Sequence, residues 1–450
     1  MTANKTVTGL RALMVGAASA AVLCAFGATA QAEGVLNGQT IRIIGISDPV
    51  FQVMQKIHGQ LEEMAGGTIE LDVRPFDVLR QQILLNADNS ESAYDIVAID
   101  LPQFGEYKGF LRDLSPMIEA SGMDMSDFYP AAAEGAVHDG RTLGISIQPH
   151  PEILAYRTDL FEAAGLAPPE TTADVLAAAK ALHGSRDGLA GICWNAARGT
   201  ALGQTFIQVL GAHGHPPIHL TETSPQHFDI GAITAENMHP WLDDAAAQET
   251  AQYLVDLMPY SPPGILNMAW DERVRVFAQG GCAMTYIWSG RSAIYELDPE
   301  AEARGNVAYL PHPRGASGRN VSTLGGWYVG IPTNVPEDRV ELAWKVIEWL
   351  TSPEMMTLYT ENGDCVSPRF SVAADPEVVA RCPSIAAVDQ MARNDQIAAW
   401  QRPPVPELQA IVDVLGSEMH EMISGDKTPA EAIEESQSQV DRIMMRAGYY

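Results

Sequence analysis

Asp48 and Asp100 each end a run of β-branched residues. Acids placed there reach a molecule held at the carboxyl edge of a sheet. Asp48 could equally cap the helix that follows it, and Gln103 lies just beyond Asp100. Pro149 and Pro151 keep His150 extended, with Gln148 just ahead of them. Trp194 and Asn195 close another apolar run, with Arg198 nearby; the bland alternative for Trp194 is a core position. Trp288 ends a further run, and Arg291 follows it. Trp270 precedes Asp271, which reads as a helix cap; Gly326 precedes Trp327 and allows close backbone approach; Arg369 follows Pro368. Arg402 sits in a loop near the end of the chain. Charged acceptors hold polar hydrogens with a net gain of roughly 1.5–3 kcal/mol each. Arginine adds a planar donor fork and tryptophan a rigid plate.

Those are tools for holding a small molecule, and the parts for turning one over are missing. The chain has no G-x-S-x-G, no H-E-x-x-H, no P-loop and no G-x-G-x-x-G at a strand–helix turn. A pair of carboxylates facing each other could still hydrolyse a glycoside, and that alternative stays open. His213, His215 and His219, with Glu222 beyond, raise zinc as a rival. Pro216 and Pro217 split them and no Cys is near, so a polar surface loop is expected. No metal or cofactor is expected.

The elements that must position these residues alternate. Strands are predicted over 40–46, 68–73, 94–100, 143–147, 153–157, 189–193, 281–288, 307–310 and 327–331. Helices are predicted over 50–64, 77–86, 172–182, 196–210, 245–257, 271–279, 337–350, 353–360, 407–423 and 429–445. The opening β-α-β-α-β rhythm indicates a mostly parallel sheet covered by helices.

Residues 1–32 read as a secretory signal peptide. Lys5 and Arg11 precede an uncharged apolar run that ends in Ala30-Gln31-Ala32. The remainder is too long for one core, so two domains are expected, and with no linker in view they would be interleaved. The formal charge of −29 disfavours nucleic acid and anionic membranes as partners. Cys365 and Cys382 could be bridged outside the cytoplasm, whereas Cys193 and Cys282 read as buried thiols.

The run from Phe277 through Gly280, Ala283 and Met284 to Trp288 resembles a segment of bacterial solute-binding proteins of the carbohydrate ABC-importer type. Further pieces agree in order: 94–107, 144–161, 324–331 with Ala343 and Trp344, 350–354, and 425–432. The resemblance implies an α/β periplasmic-binding-protein fold, with two interleaved lobes and a hinge around a ligand cleft. Residues 33–147 plus 329–367 would form one lobe, and 148–328 plus 368–450 the other. The chain would cross between lobes near 147–149, 325–328 and 366–368, and each lobe would hold a parallel sheet. The implied ligand is a sugar or polyol in the periplasm, and the implied partner a membrane permease, with the protein a monomer and not an enzyme. An anionic sugar derivative is the alternative, because it would use Arg198, Arg291 and Arg369 together. Trp288 matches an aromatic ligand contact of the family.

Overall fold

The strand Thr40–Ile46 (β1) is β-branched on both faces and is covered by helices, so it lies inside a sheet. The computed structural model describes residues 34–450, and the expected signal peptide lies outside them. The next strands are β2 (Thr68–Arg74), β3 (Ile96–Asp100), β4 (Ile145–Pro149), β5 (Glu152–Arg157), β6 (Ala190–Cys193), β7 (Cys282–Trp288), β8 (Val307–Leu310) and β9 (Gly326–Gly330). They form a five-stranded sheet, order β2-β1-β3-β9-β4, and a four-stranded sheet, order β8-β5-β7-β6.

The first sheet is parallel where the rhythm predicted it, across β2, β1 and β3. β9 then runs antiparallel between β3 and β4. In the second sheet only β6 and β7 are parallel. β5 is antiparallel to both β7 and β8, so the expectation of a parallel sheet in each lobe is corrected. The reason is connectivity. β4 runs on through His150 and Pro151 into β5, and β9 returns to the first sheet late in the chain. These two connections hydrogen-bond to each other, His150 N–H to Gly325 O at 2.9 Å and Gly325 N–H to His150 O at 3.3 Å.

Six helices matter for the site: α1 (Pro49–Lys56), α2 (Phe76–Ala87), α3 (Phe104–Tyr107), α4 (Thr200–His213), α5 (Trp270–Ala278) and α6 (Leu408–Ile423). The helix expected over 50–64 breaks at Ile57, which leaves helical geometry before His58–Ala65 begins. The helix expected from 196 starts later, because the Ala196 and Ala197 amides bond to Met268 O and Gly199 has a φ of 91°. Two disulfides are present. Cys365–Cys382 was one of two open alternatives; Cys193–Cys282, expected to be thiols, instead joins the neighbouring strands β6 and β7. The three histidines form no metal cluster among the described residues, and the expected polar surface loop is corrected: His213 and His215 are buried, paired with Glu249 and Asp244, His215 and His219 both stack on Trp241, and only His219 is exposed.

Candidate functional site

A cavity of about 520 Å³ lies where the carboxyl ends of β1 and β3 face the carboxyl end of β7. That is an ordinary size for a small-molecule site. Strand polarity accounts for its location, since the last residues of these strands point their loops to one place.

Asp48 stands at the N-cap of α1 in extended geometry, but its side chain caps nothing. Its Oδ2 accepts from Trp327 Nε1 at 2.9 Å, and its Oδ1 lies 3.5 Å from Arg291 Nη2. Burial raises its pKa, and Arg291 and the indole N–H only partly offset that. Arg291 also holds Asp271.

Asp100 receives the fork of Arg402, at 2.7 Å to Oδ2 and 3.3 Å to Oδ1, and both side chains are buried. Gln103 turns back so that its Oε1 accepts from the Asp100 amide at 2.9 Å, leaving its buried Nε2 without a partner. The Arg402 guanidinium lies 5.5 Å from the centre of the Trp288 ring, and His150 meets that ring edge-on. Burial pushes the His150 pKa down to about 3, so the imidazole is neutral.

The remaining walls come from helices. Phe76 meets Trp327 edge-on at 6.2 Å. Arg80 on α2 forks onto Glu106 of α3, at 3.0 and 2.6 Å. Trp270 and Asp271 open α5; Ala269, not Asp271 as expected, holds the N-cap, and Asp271 turns to Arg291. The helix is pinned to the second sheet by a buried pair, Arg273 Nη1 to Glu152 Oε1 at 2.7 Å. Thr200 and Gln204 of α4 and Gln409 of α6 complete the lining.

Of the residues singled out in the sequence, Asp48, Asp100, Gln103, His150, Trp270, Asp271, Trp288, Arg291, Trp327 and Arg402 line this cavity. The others lie elsewhere. Gln148 is buried behind it, donating to Asp364 at 3.1 Å. Trp194 is a core residue whose indole N–H donates to Ser261, and Asn195 is buried beside it. Arg198 is exposed and pairs with Glu421. Arg369 pairs with Asp127 at 3.0 Å, donates to Thr351 O and covers the Phe128 ring. Gly326 is not among the residues that line the cavity. A Cβ there would press on Gln148 O at 2.9 Å, and one on Gly325 would strike Trp288 and His150. These two glycines therefore let β9 seat against β4 and Trp288. Sequence reasoning missed Phe76, Arg80, Glu106, Thr200, Gln204 and Gln409, for which no local signal exists.

Comparison with known proteins agrees with this architecture. The family model described as bacterial extracellular solute-binding protein matches residues 51–357. A probable amino-acid ABC transporter periplasmic-binding protein of Sinorhizobium fredii is 23% identical, covering 98% of this chain and 97% of its own. The mannitol-binding protein of Pseudomonas aeruginosa is 22% identical, with 92% and 95% covered. Among solved structures, an ABC transporter solute-binding protein from Agrobacterium radiobacter in complex with ribitol superposes with a TM-score of 0.79. It is 24% identical, with 91% and 99% covered. Another from Agrobacterium vitis, with bound D-mannitol, gives a TM-score of 0.75 at 22% identity, with 91% and 99% covered. The fold is that of the periplasmic binding proteins, two interleaved α/β lobes hinged around a cleft, and the chain belongs to the bacterial extracellular solute-binding proteins.

Proposed function

We propose that this protein captures a neutral polyhydroxylated solute, a sugar or a polyol, and hands it unchanged to the permease subunits of an ABC importer. One observation carries the reading. Every guanidinium lining the cavity already has a carboxylate: Arg80 has Glu106, Arg291 has Asp48 and Asp271, and Arg402 has Asp100. A neutral solute disturbs none of these pairs. Its hydroxyls share the charged oxygens, and its C–H faces lie on Trp270, Trp288, Trp327 or Phe76. Relatives that bind mannitol and structures that hold ribitol or D-mannitol support the same class.

An amino acid, suggested by the Sinorhizobium relative, needs a spare cation for its carboxylate. Among the described residues of the lining there is none. The anionic-derivative reading loses its basis, since Arg198 and Arg369 are engaged outside the cavity. Binding without turnover fits carboxylates tied to arginines and a neutral His150. Export by a signal peptide over 1–32, a periplasmic location, action as a monomer, and closure of a lobe 33–147 plus 329–367 on a lobe 148–328 plus 368–450 belong to the same proposal.

The test is a thermal-shift screen of the mature chain with ribitol, D-mannitol, D-tagatose, maltose and the common amino acids. A sugar or polyol raises the melting temperature through preferential binding to the folded state. A rise with amino acids alone, or with none of these compounds, overturns the reading.

A further inference from the structure

Arg402 comes from the segment 399–407 that leads into α6, and α6 packs on α4. α4 adjoins the helix Ala245–Leu257, which contacts the helix Thr172–Leu182, and that helix covers β6. Arg402 therefore belongs to the side of the molecule built on the second sheet. It nevertheless forks onto Asp100, at the end of β3 in the first sheet.

The residues after it also meet the first sheet's side. A Cβ on Gly105 of α3 would collide with the carbonyl oxygen of Pro404, so backbone lies on backbone there. Val405 and Pro406 continue along the cavity wall. Arg291, after β7, adds a second ion pair across the cavity, to Asp48 at 3.5 Å.

We propose that residues 402–406 form a latch that closes the cleft and holds it closed before any solute enters. The proposal rests on reading the cavity as a solute cleft. Two features make the latch selective for the closed form. The Asp100–Arg402 fork is bidentate, at 2.7 and 3.3 Å; on opening both groups return to water, so the fork's geometry, not its desolvation, favours closure. The Gly105–Pro404 contact tolerates no side chain, so the position works as a steric gauge of closure. A neutral solute then enters a population biased toward the binding form, which lowers the differential affinity closure requires.

The experiment is small-angle X-ray scattering on the solute-free mature chain, comparing wild type, Gly105→Val and Arg402→Gln. Far-UV circular dichroism and a cooperative melt verify that each variant is folded. The expected result is a compact wild type at low salt. Both variants are expected to be expanded at low salt. Scattering identical to wild type from either folded variant overturns the latch. A separate arm adds D-mannitol, ribitol and maltose. If none binds while the variants expand, the solute reading fails and the latch stands. If one binds and the variants scatter like wild type, the latch fails and the solute reading stands.

Discussion

The indole N–H of Trp327 donates to the carboxylate of Asp48 at 2.9 Å, joining the end of the first strand to a residue of the last strand in the same sheet. This bond fixes the plane of the indole in the cavity wall and stops Asp48 from serving α1 as a cap. It also helps keep a partly buried carboxylate ionised, against the upward push of burial.

Trp327→Phe keeps the ring and removes the donor. Losing a hydrogen bond to a charged acceptor costs about 1.5–3 kcal/mol. A lower denaturation midpoint is expected, with weaker solute binding in a titration. An unchanged midpoint would show that water replaces the indole at no cost.

Removing one partner of the Asp100–Arg402 pair leaves the other charge unpaired, and opening of the cleft lets water reach it. Arg402→Ala and Asp100→Ala are each expected to lower the stability read by chemical denaturation by less than the ~3–5 kcal/mol of a charge held buried. The double variant should cost less than the sum of the two, and a double-mutant cycle measures the coupling.

Asp364 gives a pH signature. Burial raises its pKa to about 8, although Gln148 donates to it. The folded state therefore holds a proton that the unfolded state, with an ordinary carboxyl, has lost between about pH 4 and 8. Its contribution is complete below the unfolded pKa and disappears as pH rises through the folded one. Asp364→Asn is expected to reduce the fall in melting temperature between pH 5 and 8. His150 has the opposite sign: its pKa of about 3 makes stability fall as pH drops below the ordinary imidazole value. His150→Asn should flatten that acid limb in a pH series of melts.

The Cys365–Cys382 bridge closes a short loop, with a sequence separation of 17. Chain entropy puts its worth at roughly 3 kcal/mol. A Cys365→Ser, Cys382→Ser double variant should melt earlier, while the Cys193–Cys282 bridge remains as an internal control.

The first half of the first sheet was legible because β1, β2 and β3 are local, with helices between them and acids at their ends. Asp48 and Asp100 followed from that. β9 was recognisable as a strand, but not its direction, which depends on where a late segment re-enters. Trp194 and Trp288 look alike in sequence, each ending an apolar strand. The first is covered by packing that includes Ser261, while the second faces the cavity with Arg402 over it. Arg80 and Glu106 gave no local sign, because the spacing of two charges says nothing about which cavity their helices border.

β9 occupies an interior slot of the first sheet, flanked by β3 and β4, although it is synthesised after the entire second sheet. Until it emerges, β3 and β4 have no common neighbour, and the earlier lobe carries an open seam. A chain truncated before Gly326 lacks the strand between β3 and β4 and is expected to be cut by proteases faster than the full chain. Such late, long-range closure slows folding.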